Sequence, residues 1–270
     1  MVSQAVLPNQ KPFVVANDAR EDTDSLRALL DQNGYLFFKG LADADLIRRV
    51  RHEVLRICRD AGWVDRDSPL DKGVWSGAPI PADFTPAYVE VYRRILKLPS
   101  FQQLPKGPVF MDIVGKILGD DVLVHPRMIG RIVPPAAVET PATPPHQDWH
   151  FIRGATETFT VWTPLGDCPR QLGGVAILAG SHRLPYQRHV PTPGIGGVGV
   201  HLEEQEQGEW HTTDYTVGDF VLFHSHTVHQ GLPNHSGRYM RLSTDNRYQR
   251  AGDEIDPASL RPHGDIDFDD

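Results

Sequence analysis

The stretch VLVHPRMIGRIV, residues 122–133, marks the point where the chain changes texture. It is rich in β-branched residues and is followed by runs of the same kind: TFTVWTPL (158–165), GVAILAGS (174–181), GDFVLFHSH (218–226) and YMRLSTDNRY (239–248). Short strands separated by Pro/Gly turns, with no helical pattern between them, predict an antiparallel sandwich or barrel. The segment PGIGGVGVHLEEQEQGE, residues 193–209, interrupts this rhythm and reads either as a lid over a site or as a long surface connection.

Upstream the pattern is helical. After Asp43, the apolar positions Leu46, Ile47, Val50, Val54, Ile57 and Cys58 recur at helical spacing, and Gly62 suits the stop. The arginines between them (Arg48, Arg49, Arg51, Arg56 and Arg59) read as a solvated helix face. A second helix fits Val109 to Leu118, ending at Gly119, and YLFFKG (35–40) reads as a short strand. The expected fold class is mainly β with N-terminal helices. One domain spans residues 1–270, with a helical part over about 20–120, a β-core over about 121–250 and an acidic tail over 252–270.

The bulk properties exclude several classes. At 270 residues, 40% hydrophobic and 23% charged, the chain is of globular composition and long enough to bury a core. Two cysteines, Cys58 and Cys168, make neither a disulfide framework nor a zinc spacing. There is no secretory signal at the N-terminus and no run of the roughly 20 apolar residues that a membrane span needs, so a soluble, cytoplasmic protein is expected. Of the net charge of −8, residues 252–270 carry seven acids against Arg261, a balance of −6. A nearly neutral body has no basic stripe for nucleic acid, and the tail reads as a solvated end.

Thirteen histidines direct attention to PPHQDWH, residues 144–150. On an extended strand, side chains alternate, so His146 and Asp148 point the same way, with His150 sharing their parity as a pocket wall. With one histidine from elsewhere they make a 2-His-1-carboxylate set, which covers one face of an octahedral ion and leaves the other open to substrate and oxygen. His263-Gly-Asp265 and His201-Leu-Glu203 match the same spacing, but the first lies in the tail with no histidine after it and the second in the glycine-rich segment. The distal histidine belongs to residues 224–243, which hold His224, His226, His229 and His235; His235, beside Asn234 and Gly237, reads as a turn residue. Arg238 falls in that turn, whereas Arg241, Ser243 and Asp245 share one strand face. Arg127 and Arg131 share parity before the motif and face either a pocket or solvent.

HQDW (146–149), VWTPLGD (161–167), LGGVAILAGSHR (172–183), GDFVLFHSHTVHQGLPNHS (218–236) and RLS (241–243) together resemble the phytanoyl-CoA dioxygenase family, with NGYLFFKGL and ILGDDVLVHPR also in order. The resemblance runs from about residue 30 to 250. It implies an Fe(II)- and 2-oxoglutarate-dependent dioxygenase on a double-stranded β-helix (jelly roll), using O2 and releasing succinate and CO2. It implies His229 as distal ligand beside His146 and Asp148, Trp162 near the cosubstrate, and Arg241 with Ser243 gripping the far carboxylate of 2-oxoglutarate, with Arg127 a further candidate contact. Many members carry Gly-Ser after the distal histidine, where this chain has Gln230-Gly231, so a serine contact to the cosubstrate is missing. Halogenating relatives replace the carboxylate with a small residue; with Asp148 present, hydroxylation, or another oxidation such as desaturation or ring closure, is favoured over halogenation. The substrate is expected to be a small polar or natural-product-like metabolite, with Trp75, Trp149 and residues 193–209 as candidate walls. The competing readings are a non-catalytic β-sandwich ligand-binding protein and a cupin-like metal enzyme that needs no 2-oxoglutarate.

Overall fold

A computed structural model describes residues 10–119, 121–135, 143–202 and 208–266. Short-range chemistry sets the helices that come first. The Asp22 carboxylate accepts from the Asp24 amide to open α1 (Thr23–Asn33), which Gly34 closes in the left-handed region at φ 75°. The Asp43 carboxylate accepts from the amides of Asp45 and Leu46 to open α2 (Ala44–Asp60). Each of α3 (Pro86–Leu96), α4 (Pro99–Gln103) and α5 (Pro108–Leu118) begins with proline, whose missing N–H has no intrahelical partner to lose there. The arginine face of α2 is only partly solvated. Arg48 pairs with Asp45 in solvent, but Arg51 donates to the carbonyls of Leu165 and Asp71, and Arg59 to those of Asp65 and Ser68.

The strands, in chain order, are β1 (Gln10–Lys11), β2 (Tyr35–Phe38), β3 (Val122–Val124), β4 (Ile129–Val133), β5 (Phe159–Pro164), β6 (Val175–Leu178), β7 (His189–Pro191), β8 (Val198–Val200), β9 (Trp210–His211), β10 (Phe220–His224), β11 (His229–Gly231) and β12 (Arg241–Arg250). One sheet runs β2-β10-β5-β12-β3, with β4 also on β12; the other runs β1-β9-β6-β11; β7 and β8 pair with each other. Every pairing is antiparallel except β1 with β9. The two sheets form a jelly-roll, double-stranded β-helix core.

The larger sheet is buried on both faces, which explains its continuous apolar runs. Leu36, Phe38, Val161, Phe220, Leu222, Leu242 and Tyr248 turn outward into one cluster with the helices. Tyr35, Phe37, Trp162, Val221 and Phe223 turn inward and meet Val175 and Ile177 of the opposite sheet. The inward face of β12 is different: Arg241, Ser243, Asp245, Arg247 and Gln249 are all buried.

Two expectations fail here. The tail is not a solvated end over residues 252–266: Ala155 donates to the Glu254 carbonyl, Ser259 Oγ to the Ile152 carbonyl, and Ile266 is only 4% exposed. Glu254 and Asp265 are exposed there while backbone and one isoleucine pack inward, a division that net charge does not register. Arg127 does not share a strand with Arg131, because Pro126 interrupts the ladder and leaves Arg127 in the turn before β4.

Leu222→Ala, which empties a site shared by sheet and helices, should lower unfolding free energy by about 2–5 kcal/mol in urea titrations. Arg48→Ala, which breaks an ion pair lying in solvent, should stay within about 0.5 kcal/mol of the unaltered protein.

Candidate active site

The ligand candidates meet where the two ends of the β-core's histidine segments pair. His146 and His229 exchange both backbone hydrogen bonds, 2.9 and 3.0 Å, as an isolated antiparallel bridge, and their rings lie 4.2 Å apart. Asp148 is not extended, as strand alternation would require. At φ −60° and ψ −30° it begins the short helix α6 (Trp149–Ile152). The chain turns at Gln147, and that turn returns the Asp148 carboxylate to the histidines: Oδ1 lies 3.7 Å from His146 Nε2 and 3.9 Å from His229 Nε2. The three ligand atoms lie within 4.8 Å of one another, and all three residues are buried.

Gln147 fixes the turn. Its side chain donates to the His226 carbonyl at 2.8 Å and accepts from the Gln187 amide at 2.8 Å, while its own amide donates to His189 Nε2 at 3.1 Å. Nδ1 of His146 lies 2.8 Å from the Pro144 carbonyl and Nδ1 of His229 lies 3.0 Å from the Thr227 carbonyl. Carbonyls only accept, so both Nδ1 atoms carry the proton and both Nε2 lone pairs face the carboxylate. Burial lowers the pKa of both rings and keeps them neutral.

Burial opposes ionisation of Asp148, but the Arg247 guanidinium and the hydrogen bond from Thr160 hold its carboxyl well below the usual carboxylate range. Arg247 Nη2 donates to Oδ1 at 3.0 Å and Thr160 Oγ1 to Oδ2 at 2.5 Å. Neutral imidazoles, an ionised carboxylate and converging lone pairs fit a divalent transition metal such as iron. Sequence reading missed Arg247 and Thr160; the available signal was that Arg247 shares its strand face with Arg241, Ser243 and Asp245.

A small cavity lies on one side of the histidines, with Trp162, Gly231, Arg131 and Arg241 in its wall. Arg131 is committed: Nε sits 2.8 Å from Asp245, whose carboxylate, against the effect of burial, pushes the arginine's pKa up. Arg241 is not. It is 5% exposed, donates from Nη1 to Ser243 Oγ at 2.7 Å, leaves Nε without a partner, and forms no ion pair among the described residues. Burial presses its pKa down, a cost that an anion bound beside it would offset. Because Ser243 Oγ accepts from Arg241, its own proton is free for the same anion. Trp162 stands in the wall, 4.8 Å from the Tyr215 ring. At Gly231, where the resemblance leads one to expect serine, an added Cβ would lie 3.1 Å from Thr143 Oγ1, so a hydroxyl stands near that position.

A larger cavity of about 250 Å³ opens on the other side, reaching His146, Asp148 and Arg247. Phe84, Ile129, Phe151, Ile195 and Val198 give it apolar walls, and Arg127 and His263 polar ones. Arg127 Nη1 donates to the Ala258 carbonyl at 2.6 Å and lies 3.4 Å from Asp265. Arg127 therefore faces the larger cavity and is absent from the wall of the smaller one. His263 was missed because its neighbours in sequence read as tail. Ile195 and Val198 place part of the glycine-rich segment on the wall, while residues 203–207 lie outside the described residues.

The other candidates sit elsewhere. His224 is 3.5 Å from Glu157, His226 packs on Trp149, and His235, His201 and Arg238 are exposed. His150 stacks on His189 at 4.0 Å, and its place in α6 takes it off the parity it was expected to share. Trp149 donates to the Gly154 carbonyl and Trp75 to the Ala78 carbonyl, and neither lines either cavity.

Comparison with known proteins agrees with this arrangement. A family profile described as phytanoyl-CoA dioxygenase (PhyH) matches residues 30–243. A 1-deoxypentalenic acid 11-beta-hydroxylase of Streptomyces exfoliatus is 27% identical over 261 residues, 93% of this chain and 89% of that protein. The peroxisomal phytanoyl-CoA dioxygenase of Homo sapiens is 26% identical over 235 residues, 82% of this chain and 66% of that one. Among solved structures, the epimerase SnoN in complex with Fe3+, alpha ketoglutarate and nogalamycin RO superposes with a TM-score of 0.63 at 22% identity, over 88% of this chain and 87% of that one. No helix among the described residues is long and apolar enough to cross a membrane. With most of its length matched, the chain belongs to the phytanoyl-CoA dioxygenase family.

Proposed function

We propose that the protein is an Fe(II)- and 2-oxoglutarate-dependent oxygenase that oxidises a C–H bond of a small molecule, with hydroxylation as the outcome. The observation that carries the reading is the pairing of two unfilled demands: three converging side chains, His146, Asp148 and His229, beside a buried arginine, Arg241, that has no ion-pair partner among the described residues. Iron(II), 2-oxoglutarate and O2 supply the oxidant when bound, the 2-oxoglutarate leaving as succinate and CO2.

The protein's own part is placement. His146 and His229 offer Nε2, with their tautomers held by the Pro144 and Thr227 carbonyls. Arg247 and Thr160 keep Asp148 ionised and oriented. Arg241 and Ser243 hold the far carboxylate by charge-assisted hydrogen bonds, as a buried carboxylate requires. Trp162 walls that pocket. Phe84, Phe151, Ile195 and Val198 keep water from the reacting carbon and give a substrate apolar surface. The names of the Streptomyces hydroxylase and of the SnoN complex favour a natural-product-like molecule. The chain acts as one catalytic unit of helices and β-core, and two buried free cysteines suit work in the cytoplasm.

The decisive assay is succinate formation from 2-oxoglutarate, dependent on Fe(II) and O2, followed by a metabolite screen for its stimulation. No iron binding and no succinate under any condition would reduce the protein to a ligand-binding relative. In anaerobic Fe(II) titrations, Asp148→Ala and His229→Ala should each weaken binding by about 100-fold or more, while His226→Ala stays within about threefold. Loss of iron only in the His226 variant would move the distal ligand. Arg241→Ala should raise the apparent KM for 2-oxoglutarate by about 100- to 1000-fold, the equivalent of about 3–4 kcal/mol for a stripped buried ion pair. An unchanged KM would point to chemistry that does not use 2-oxoglutarate.

A further inference from the structure

The larger cavity holds a histidine whose protonation pattern is set from behind. His263 lies in the C-terminal segment, with its ring edge-on to Phe84 at 5.2 Å and to Tyr92 at 5.7 Å. Its Nδ1 is 2.9 Å from the Tyr92 hydroxyl. That hydroxyl already accepts from the Gly130 amide at 3.0 Å. Tyr92 is 1% exposed, so a phenol that accepted from both neighbours would bury its own proton without an acceptor. The phenol therefore donates to Nδ1, and the ring's proton must sit on Nε2. Nε2 has no hydrogen-bond partner among the described residues, and the ring forms part of the cavity wall. Burial first, then the charges of Arg131, Arg247 and Arg127, keep the imidazole neutral by lowering its pKa well below the usual value.

We propose that His263 is a specificity-determining residue, whose Nε2–H donates to a carboxylate oxygen of the substrate. The structure favours a carboxylate over a neutral oxygen because Arg127 lines the same cavity and is held only by one carbonyl and a 3.4 Å ion pair with Asp265, two residues beyond His263. The remaining walls are Phe84, Ile129, Phe151, Ile195 and Val198, which suit an apolar body, with Arg131, Thr143 and Arg247 and with Asp83, whose carboxyl burial pushes toward its neutral form. The substrate class is then an apolar small acid, bound by its carboxylate on His263 and Arg127 with its reacting C–H toward His146 and Asp148. Gly264 serves the same placement: at φ 76°, any side chain there would run into the Phe84 ring that faces His263.

This proposal rests on reading the larger cavity as the substrate pocket, and 2-oxoglutarate turnover by the unaltered protein tests that reading separately. The experiment is imidazole ¹⁵N spectroscopy of the full chain at pH 7.5, with His263 assigned by His263→Gln and octanoate as the probe. The expected result is an unprotonated Nδ1, a protonated Nε2 and a saturable shift of Nε2 on adding octanoate. His263→Phe, which keeps a flat ring, should weaken octanoate binding by about tenfold or more, the worth of one hydrogen bond to a charged group. His263→Gln, whose amide still donates, should stay within about threefold of the unaltered chain. A ring protonated on Nδ1 or on both nitrogens, failure of octanoate to bind the unaltered chain, or equal binding by His263→Phe would each overturn the proposal. Succinate formation alongside any of these would leave the oxygenase reading standing.

Discussion

The structure depends on a row of charged and polar side chains turned into the protein along one strand. On β12 the outward positions Leu242 and Tyr248 join the helices, while Arg241, Ser243, Asp245 and Arg247 face inward, all buried. Burying such groups without partners would cost several kcal/mol each, so the rest of the core is arranged to answer them. Asp245 takes Arg131 from β4, and Arg247 takes Asp148 from the ligand turn. Arg241 has a serine and, among the described residues, no ion-pair partner. One strand therefore contributes to the fold by its outward face, holds the Asp148 carboxylate by one arginine, and, under the proposed function, offers a second arginine to the cosubstrate.

The ligand set is held by partners far apart in sequence. His146 and Asp148 are two residues apart, but their convergence relies on Gln147 reaching His226 and Gln187, on His229 bridging to His146, and on Thr160 and Arg247 gripping the carboxylate. Backbone carbonyls fix both imidazole tautomers. Each side chain's freedom is removed by a bond of its own, so the geometry a divalent ion needs is set by the protein itself.

Much of this was legible in the sequence, because strands buried on both faces leave unmistakable runs. The strands at 159–164, 175–178, 220–224 and 241–250 and the helices at 44–60 and 108–118 all fall where the pattern put them. The structure also brings His146 to His229 and Arg241 to Ser243. Asp148 arrives by a different route, from the first turn of a helix instead of along a strand, since spacing of two residues does not distinguish an extended chain from a tight turn. Strand parity puts Arg247 on the face of Arg241, but the partners of Arg247, Thr160 and His263 were illegible for a common reason. Their roles come from contacts spanning 99, 12 and 171 residues, which no local pattern encodes.

The two cavities differ in how they are built, and that difference bears on what can vary. The smaller one is walled largely by paired strands, with Trp162 on β5, Val175 on β6, His229 and Gly231 on β11, and Arg241 on β12. Shifting any of these would break ladder bonds, so this pocket, which the proposed function gives to the cosubstrate, is tied to the fold. The larger one draws on Phe84 at φ 62°, on Ile195 and Gly196 between β7 and β8, and on His263 and Gly264 in the C-terminal segment. Three stretches remote in sequence thus meet over the open side of the ligand cluster, with few ladder bonds to constrain their residues. Reshaping them would change which molecule lies beside His146 and Asp148 without moving either ligand. Under the proposed function, the reacting centre is then set by bonds between strands, bridge and turn, and the choice of substrate by the segments that close over it.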